Sequence, residues 1–372
     1  MKMNIETKTK ANVSFMAIDK YVDDSIVYPT EVANAKGFVA WGDQNDYPQY
    51  LRSLYYDVPT LHSIIDGMSD YIAGDGVTTL VPEWTERENN RCQTLNDLVK
   101  LCAKDLAMYN GFALNIIRDK GGAIADIYWL DFSRCRTNED GTKVYYSTEW
   151  NKRGGRVKYI EYDAFTSNTK SNADSTIFYY KNDMTKVYPT PLWGAAVLPC
   201  EIERKINIYH YNLINNGMSS NYIVNFNNGV PTDEMKEEIE DNFYDKFCGV
   251  ENTGRPMLSF NPTKDNEVTI TKVDADNYAD RWNALYDTTK QQIFTAFRCS
   301  PILFGIDQEK TGFNANEYNE AYKLFQQTMI VPMQREIERV FDKVFMTKGF
   351  MHIVPFKNNI ITDNEQHDTN IA

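Results

Sequence analysis

The sequence lacks the features that mark several classes of protein. It has no run of eighteen apolar residues, and its first ten residues, Met1 to Lys10, are polar, so neither a membrane-spanning helix nor a signal peptide is predicted. The six cysteines form no C-x-x-C pair and the four histidines are dispersed, which argues against a zinc cluster. We therefore expect free thiols in a reducing cytoplasm, with no metal, cofactor or membrane partner.

The chain also has fewer positively charged than negatively charged residues. The chain has 39 Lys and Arg residues against 52 Asp and Glu residues, which gives a formal net charge of −13 at pH 7. Proteins that hold nucleic acid tightly neutralise its phosphates with fixed cations, and this chain has the opposite charge balance. Tight, static DNA binding is therefore not expected.

Common catalytic motifs are absent as well. The sequence contains no G-x-x-x-x-G-K-[ST], G-x-S-x-G or H-E-x-x-H motif, so we predict no enzyme of those classes. One enzymatic alternative stays open, because Asp43 and Asp46 stand beside Trp41 and Tyr47. Paired carboxylates near sugar-stacking rings are typical of carbohydrate-active enzymes, although carboxylates three residues apart in one loop more often cap turns.

The residues that are present predict a folded α+β protein of two to three domains. Apolar residues make up 42% of the 372 residues and aromatic residues 13%, enough to fill a large core. Apolar spacing predicts helices over 57–74 and 96–109, and antiparallel hairpins follow from Phe112 onward. The segment 37–51 mixes aromatic residues with Gly, Asp, Asn and Pro, which predicts a structured loop rather than a helix.

From Pro199 onward the pattern becomes one of long helices around a small insertion. A helix is predicted to open at Pro199, and a second long helix ends before Pro301. Between them, strands at 222–226 and 257–260 accompany an acidic helix at 233–247. A polar loop over 307–316 precedes a long helix from Glu317 to Phe345, which Pro332 is predicted to kink, and one strand lies within 350–356.

This order of elements resembles the portal proteins of tailed bacteriophages. Ala296-Phe-Arg-Cys-Ser-Pro-Ile-Leu-Phe-Gly305 resembles the stretch that closes the stem helix of that family. The other matching segments are Asn314 to Phe325 followed by Met329-Ile-Val-Pro332 for the tunnel helix, Gly217-Met-Ser219 for the stem-to-clip corner, Gly249 to Phe260 for the clip, and Trp41 to Leu51 for the N-terminal signature of compact portals.

The resemblance implies a portal-like α+β architecture whose parts follow the family order. They are a wing (1–198), stem helix 1 (199–217), a clip (218–273), stem helix 2 (274–304), a tunnel loop (305–316), a kinked tunnel helix (317–349) and a reduced C-terminal strand and tail (350–372). It further implies a dodecameric ring, without catalysis of its own, at one vertex of a virion capsid. Double-stranded DNA would pass through this ring during packaging and ejection. The implied protein partners are the terminase large subunit, a head-tail adaptor and the major capsid or scaffolding protein, with assembly in the host cytoplasm.

The resemblance also implies where functional residues lie. The tunnel loop would place Gln308, Glu309, Lys310, Thr311 and Asn314 along the DNA path, and the second stem helix would add Lys290 and Arg298. Tyr209, Trp282 and Tyr286 are candidates for contacts between subunits, with packing inside one subunit left open. Glu234, Glu237, Glu238 and Asp241 on the clip are candidates for partner docking, with a solvated helix surface left open.

Overall fold

The computed structural model describes residues 26–33, 37–150, 157–166, 174–215, 223–226, 232, 257–260, 278–305 and 315–356. Helices and strands are mixed throughout these residues, which confirms the predicted α+β class. Contacts within the chain divide it into two units. The first unit contains Ile202–Thr289, and the second contains Ile26–Glu201 with Lys290–Ala372.

The bounds of the regular elements follow the chain order. The strands are β1 (Glu31–Ala33), β2 (Val39–Trp41), β3 (Val77–Thr79), β4 (Gly111–Arg118), β5 (Ile124–Leu130), β6 (Cys135–Thr137), β7 (Lys143–Tyr146), β8 (Ile160–Ala164), β9 (Ser175–Lys181), β10 (Ile223–Phe226), β11 (Met257–Phe260) and β12 (Met351–Ile353). The α-helices are α1 (Tyr47–Asp57), α2 (Pro59–Ala73), α3 (Glu83–Glu86), α4 (Leu95–Tyr109), α5 (Val197–Asn215), α6 (Tyr278–Phe297), α7 (Ala315–Phe325) and α8 (Val331–Val344).

A six-stranded sheet with the order β5-β4-β9-β8-β7-β6 is the framework of the second unit. Its neighbouring strands are antiparallel except β8 and β9, which are parallel. Helix α4 leads into this sheet and begins with a capping box, in which Thr94 and Asp97 satisfy each other's backbone N–H groups. The helix ends where Asn110 adopts a left-handed conformation with φ of 62°, as the Asn110-Gly111 pair predicts.

The predicted loop over 37–51 is only partly a loop, because it contains strand β2 and helix α1 begins at Tyr47. Pro48 lies in the first turn of α1, where its missing N–H is not needed for a helical hydrogen bond. The aromatic residues before and after this point pack into the core: Trp41 stacks on Tyr188 with ring centroids 4.5 Å apart, and Leu51 is fully buried. Proline therefore starts the helix that the mixed composition argued against.

A buried arginine fastens this segment to the sheet. Arg136 of β6 is fully buried, and its Nε donates to the side-chain oxygen of Asn45. Its Nη1 donates to the carbonyl oxygens of Ser133 and Cys135, each at 2.8 Å. Its Nη2 donates to the carbonyl of Asn45 at 2.8 Å and to Gln49 Oε1 at 3.3 Å. All five N–H groups therefore have an acceptor, although burial lowers the pKa of this guanidinium.

The free edge of the sheet at β5 is covered by side chains instead of a strand. Asn89 donates to the carbonyl of Ile127 at 3.0 Å, while Arg87 and Arg91 donate to the carbonyls two residues before and after it. Every second residue from Arg87 to Arg91 thus donates to the carbonyl of every second residue of the edge strand β5. This arrangement protects an edge that could otherwise pair with another chain.

The C-terminal helix is interrupted just before the proline that was predicted to disturb it. Residues Gln326–Ile330 form a π-helical segment between α7 and α8, and Pro332 lies in the first turn of α8. Proline lacks the N–H of a regular helical hydrogen bond and its ring crowds the preceding turn. Beyond α8, strand β12 pairs antiparallel with β3, so the end of the described chain returns to residues early in the sequence.

The Arg136 cluster gives a first prediction. Arg136→Lys keeps a positive charge but cannot reach the acceptors of a planar, five-donor group, so buried oxygens lose their partners. We expect the free energy of unfolding to fall by about 3 kcal/mol, measured by urea denaturation of the full-length chain.

Arg134→Lys is the matched control, because this neighbouring arginine is 40% exposed and pairs with Asp131 at the surface. It should change the unfolding free energy by less than about 0.5 kcal/mol. Equal effects of the two substitutions would contradict the role assigned to Arg136.

Candidate functional site

The two long helices that flank the insertion meet through aromatic side chains. Helices α5 and α6 contain 19 and 20 residues, which corresponds to about 28 and 30 Å of helix. In the first unit the ring of Tyr209 stacks on that of Trp282, with centroids 4.9 Å apart and an interplanar angle of 23°. His210 approaches the same indole edge-on at 6.0 Å. Residues 73 positions apart in sequence therefore meet, as the paired arrangement of the helices requires.

The parts of these helices within the second unit are fixed in its core. Phe297 of α6 is fully buried and stacks on Trp193, whose indole N–H donates to the carbonyl of Met108 at 3.0 Å. Near the start of α5, the Tyr50 hydroxyl donates to the carboxylate of Glu201 at 2.8 Å. Helix α5 begins at Val197, two residues before the predicted start at Pro199.

Apolar side chains remain exposed on the helices within the first unit. Ile208 and Tyr211 of α5 are 36% and 66% exposed, and Leu285 of α6 is 41% exposed. Tyr286 on the same helix is half-buried. Tyr209 and Trp282 contact each other within one chain, so their assignment to contacts between subunits stays a prediction.

The two cations predicted on the second stem helix differ in their surroundings. Lys290 is half-buried within α6, whereas Arg298 follows the helix and is exposed. Arg298 has a backbone φ of 54°, a left-handed conformation that non-glycine residues seldom adopt. The sequence does not predict this conformation, because arginine is not among the residues that usually end a helix in the left-handed state.

The other predicted site residues lie outside the described part of the chain. These are Gln308, Glu309, Lys310, Thr311 and Asn314 of the tunnel loop, and Glu234, Glu237, Glu238 and Asp241 of the clip. Of the clip itself, β10 and β11 are described, and they confirm the strands predicted at 222–226 and 257–260. The two strands pair in parallel, with Ile223 opposite Met257.

The carbohydrate-active alternative loses its physical basis in this fold. Trp41 and Tyr47 are 1% and 2% exposed, so neither ring has a free face on which a sugar could stack. Asp43 accepts a hydrogen bond from Thr30 at 2.6 Å and acts as a turn-stabilising side chain. The two rings of this segment therefore serve packing, and Asp43 is engaged by Thr30.

A small cavity of about 310 Å³ was not foreseen from the sequence. It is lined by Ser63, Gly67, Asp70, Tyr71, Leu303, Phe304 and Phe356. Gly67 allows helix α2 to approach the turn after α6, because a β-carbon there would lie 2.8 Å from the Phe304 ring. The only signal available in the sequence was a glycine inside a helical pattern.

Neither a metal cluster nor a membrane helix is found where the structure is described. No group of three or more His, Cys, Asp or Glu side chains among those residues is placed to hold a metal ion. The helices of the same residues include none long and apolar enough to cross a membrane.

Comparison with protein families gives one match over most of the chain. The model of a family described as phage portal protein matches residues 83–367, which include both long helices and the insertion between them. A protein of Rickettsia felis is 28% identical over 193 residues, or 51% of this chain and 46% of that protein. A protein of Rickettsia bellii is 29% identical over 138 residues, or 37% and 34% of the two chains. The matches thus span less than half the length of these relatives.

Solved structures share the fold at low sequence identity. A chain from the neck of a native gene transfer agent particle, computed with C12 symmetry, is 15% identical with a TM-score of 0.56. The match covers 90% of this chain and 87% of that one. An HK97-family phage portal protein from Corynebacterium diphtheriae is 12% identical with a TM-score of 0.50, covering 82% and 95% of the two chains. At these sequence identities, both similarities show a shared fold.

The stacked rings give a second prediction, which a double-mutant cycle measures. Tyr209→Ala, Trp282→Ala and the double variant should show a coupling energy of about 1 kcal/mol in denaturant unfolding followed by circular dichroism. Tyr211→Ala serves as the control, since its ring is 66% exposed, and it should show no coupling to Trp282→Ala. Additive effects of the Tyr209 and Trp282 substitutions would mean that the stack does not hold the helices together.

Proposed function

This chain belongs to the phage portal protein family, and we propose that copies of it form a closed ring at one vertex of a phage capsid. Double-stranded DNA enters the capsid through this ring during packaging and leaves through it during ejection. The role is structural: the ring conducts DNA, and a separate terminase hydrolyses ATP. The main observation that supports this proposal is the match of the portal family model to residues 83–367, more than three quarters of the chain.

The structural similarities support a proposed number and location of the subunits. A similar neck structure was computed with C12 symmetry. A twelve-fold rotation axis relates twelve equivalent positions, which supports a ring of twelve copies. A virion of a gene transfer agent is among the similar structures and supports a place in the particle. The chain reaches that place from the host cytoplasm, where the capsid is assembled around it.

Each subunit in such a ring needs two different surfaces, because every interface is formed by unlike faces of neighbouring copies. Ile208 and Tyr211 on α5 and Leu285 on α6 provide apolar area outside the stack between the helices. Tyr209, Trp282 and Tyr286 lie on the same two helices and contribute to subunit contacts through their outer edges. The major capsid or scaffolding protein contacts the wing around the outside of the ring.

The charge of the chain suits a channel through which DNA must move. Each cation that neutralises a phosphate releases a counterion and strengthens binding, so a channel lined with many lysines and arginines would hold the duplex in place. A net charge of −13 per copy avoids this. A few cations still guide the duplex in this proposal, and we assign that role to Lys310 of the tunnel loop, together with Gln308, Glu309, Thr311 and Asn314.

Partner docking is assigned to the clip between the long helices. Glu234, Glu237, Glu238 and Asp241 lie within four turns of one predicted helix in that module and give it a negative face. A terminase large subunit during packaging, and a head-tail adaptor afterwards, would bind this face through basic residues of their own.

The ring is tested first by particle mass. Sedimentation of the purified full-length chain should reveal a particle of about twelve 43.0-kDa chains. An assay for glycan hydrolysis on the same preparation is the control for the rejected enzymatic alternative. A stable monomer that hydrolyses glycans would overturn the portal function.

Deletion of residues 307–315 tests the tunnel loop. Rings should form as in the unaltered chain, because α5 and α6 are untouched and α7 loses only its first residue, while DNA packaging or retention fails. Ring mass and encapsidated DNA are measured on the same particles. Loss of the rings themselves would contradict the assignment of these residues to the DNA path.

A further inference from the structure

A buried carboxyl group lies where helix α4 meets the six-stranded sheet. Asp105 of α4 is 5% exposed, and the indole N–H of Trp129 on β5 donates to its Oδ2 at 2.7 Å. Both residues belong to the second unit. The hydrogen bond therefore connects the helix to the edge strand of the sheet.

A second carboxylate in this region binds two arginines. Asp131 follows β5, and its Oδ1 pairs with Arg52 at 2.5 Å while its Oδ2 pairs with Arg134 at 3.1 Å. Asp105 forms no ion pair with the residues that the structure describes, and its partner Trp129 is a neutral donor. An ionised Asp105 would therefore be a buried negative charge without a paired cation.

A carboxyl group in such surroundings takes up a proton, because a buried charge without a partner is very costly. Burial, followed by the negative charge of Asp131, raises the pKa of Asp105 well above its usual range. Hydrogen bonds from Trp129 and the backbone of Phe132, and the charge of Arg52, lower the pKa, and each of these effects is smaller. Geometry and charge thus both favour the neutral acid.

The other titratable groups around this carboxyl are neutral. Cys102 and Tyr109 of the same helix are fully buried, and burial raises the pKa of both side chains. Burial likewise raises the pKa of Cys135 at the start of β6. The charged groups that face the carboxyl are therefore Arg52 of α1 and Asp131, which already pair with each other.

We propose that Asp105 is a proton-binding site, whose carboxyl holds a proton in the folded chain at neutral pH and releases it at alkaline pH, which weakens the packing of α4 on the sheet. A neutral carboxyl still accepts the hydrogen bond from Trp129 and brings no charge into the core. The ionised group instead favours conformations that admit water between the helix and the sheet. This inference concerns the fold of one chain and is independent of ring formation.

The effect of this proton on stability has a definite sign. A carboxyl whose pKa is higher in the folded state binds more protons there than in the unfolded chain, so rising pH destabilises the folded state. The effect extends from the pKa of an unfolded aspartate, about 4, up to the pKa in the folded chain. Within that window this one group increases the unfolding equilibrium constant up to about tenfold per pH unit.

The test compares the full-length chain with Asp105→Asn, which keeps an oxygen for the Trp129 N–H and cannot ionise. Unfolding constants of both chains are measured in urea at one chain concentration, between about pH 5 and pH 7. The constant of the unaltered chain, divided by that of the variant, should rise about tenfold per pH unit. A ratio that stays constant or falls over this range would overturn the proposal, because Asp105 would then be ionised in the folded chain.

Infrared spectroscopy of the folded chain gives a second readout that requires no unfolding. At neutral pH the unaltered chain should show the C=O stretch of a neutral carboxyl that Asp105→Asn lacks. Identical carboxyl bands in the two chains would overturn the proposal. If the Asn variant does not fold, the absence of any neutral-carboxyl band from the unaltered chain at neutral pH would do so.

Asp131→Asn is the matched control for the surroundings of Asp105. It removes the second carboxylate and leaves Arg52 without its partner, so the neutral-carboxyl band should be lost at a lower pH than in the unaltered chain. Loss of the band at the same pH in both chains would contradict the charge environment assigned to Asp105.

Discussion

The contact between α5 and α6 is the constraint on which the proposed architecture depends. The Tyr209–Trp282 stack joins the two helices within the first unit. In the second unit, Phe297 stacks on Trp193, and Tyr50 is hydrogen-bonded to Glu201. The portal family model matches residues 83–367, so it includes both helices and the 62 positions between Asn215 and Tyr278.

Buried Arg136 is a second constraint, within the second unit. All five of its N–H groups have an acceptor, and through them it joins the N-terminal segment to the sheet. The acidic excess of the chain, a formal net charge of −13, suits the function we propose, because a channel with few fixed cations binds a polyanion weakly.

Local patterns predicted most elements, and long-range contacts decided the rest. Regular apolar spacing located α2 and α4, and the Asn110-Gly111 pair located the end of α4, because these signals act within a few residues. The helix beginning at Tyr47 was missed because it is held by contacts with residues far away in sequence, such as the hydrogen bond from Tyr50 to Glu201, 151 positions away. Apolar spacing predicted the two long helices around an insertion, yet the left-handed state of Arg298 and the cavity beside Gly67 depend on three-dimensional contacts that no sequence pattern records.

Electron-microscope images of the purified particle, averaged along its symmetry axis and resolved to individual helices, test the central claim most directly. The claim predicts a closed ring with a single hole of duplex width and with α5 and α6 of every copy paired around that hole. A monomer, an open filament, or a ring whose hole is lined by the six-stranded sheet would contradict it.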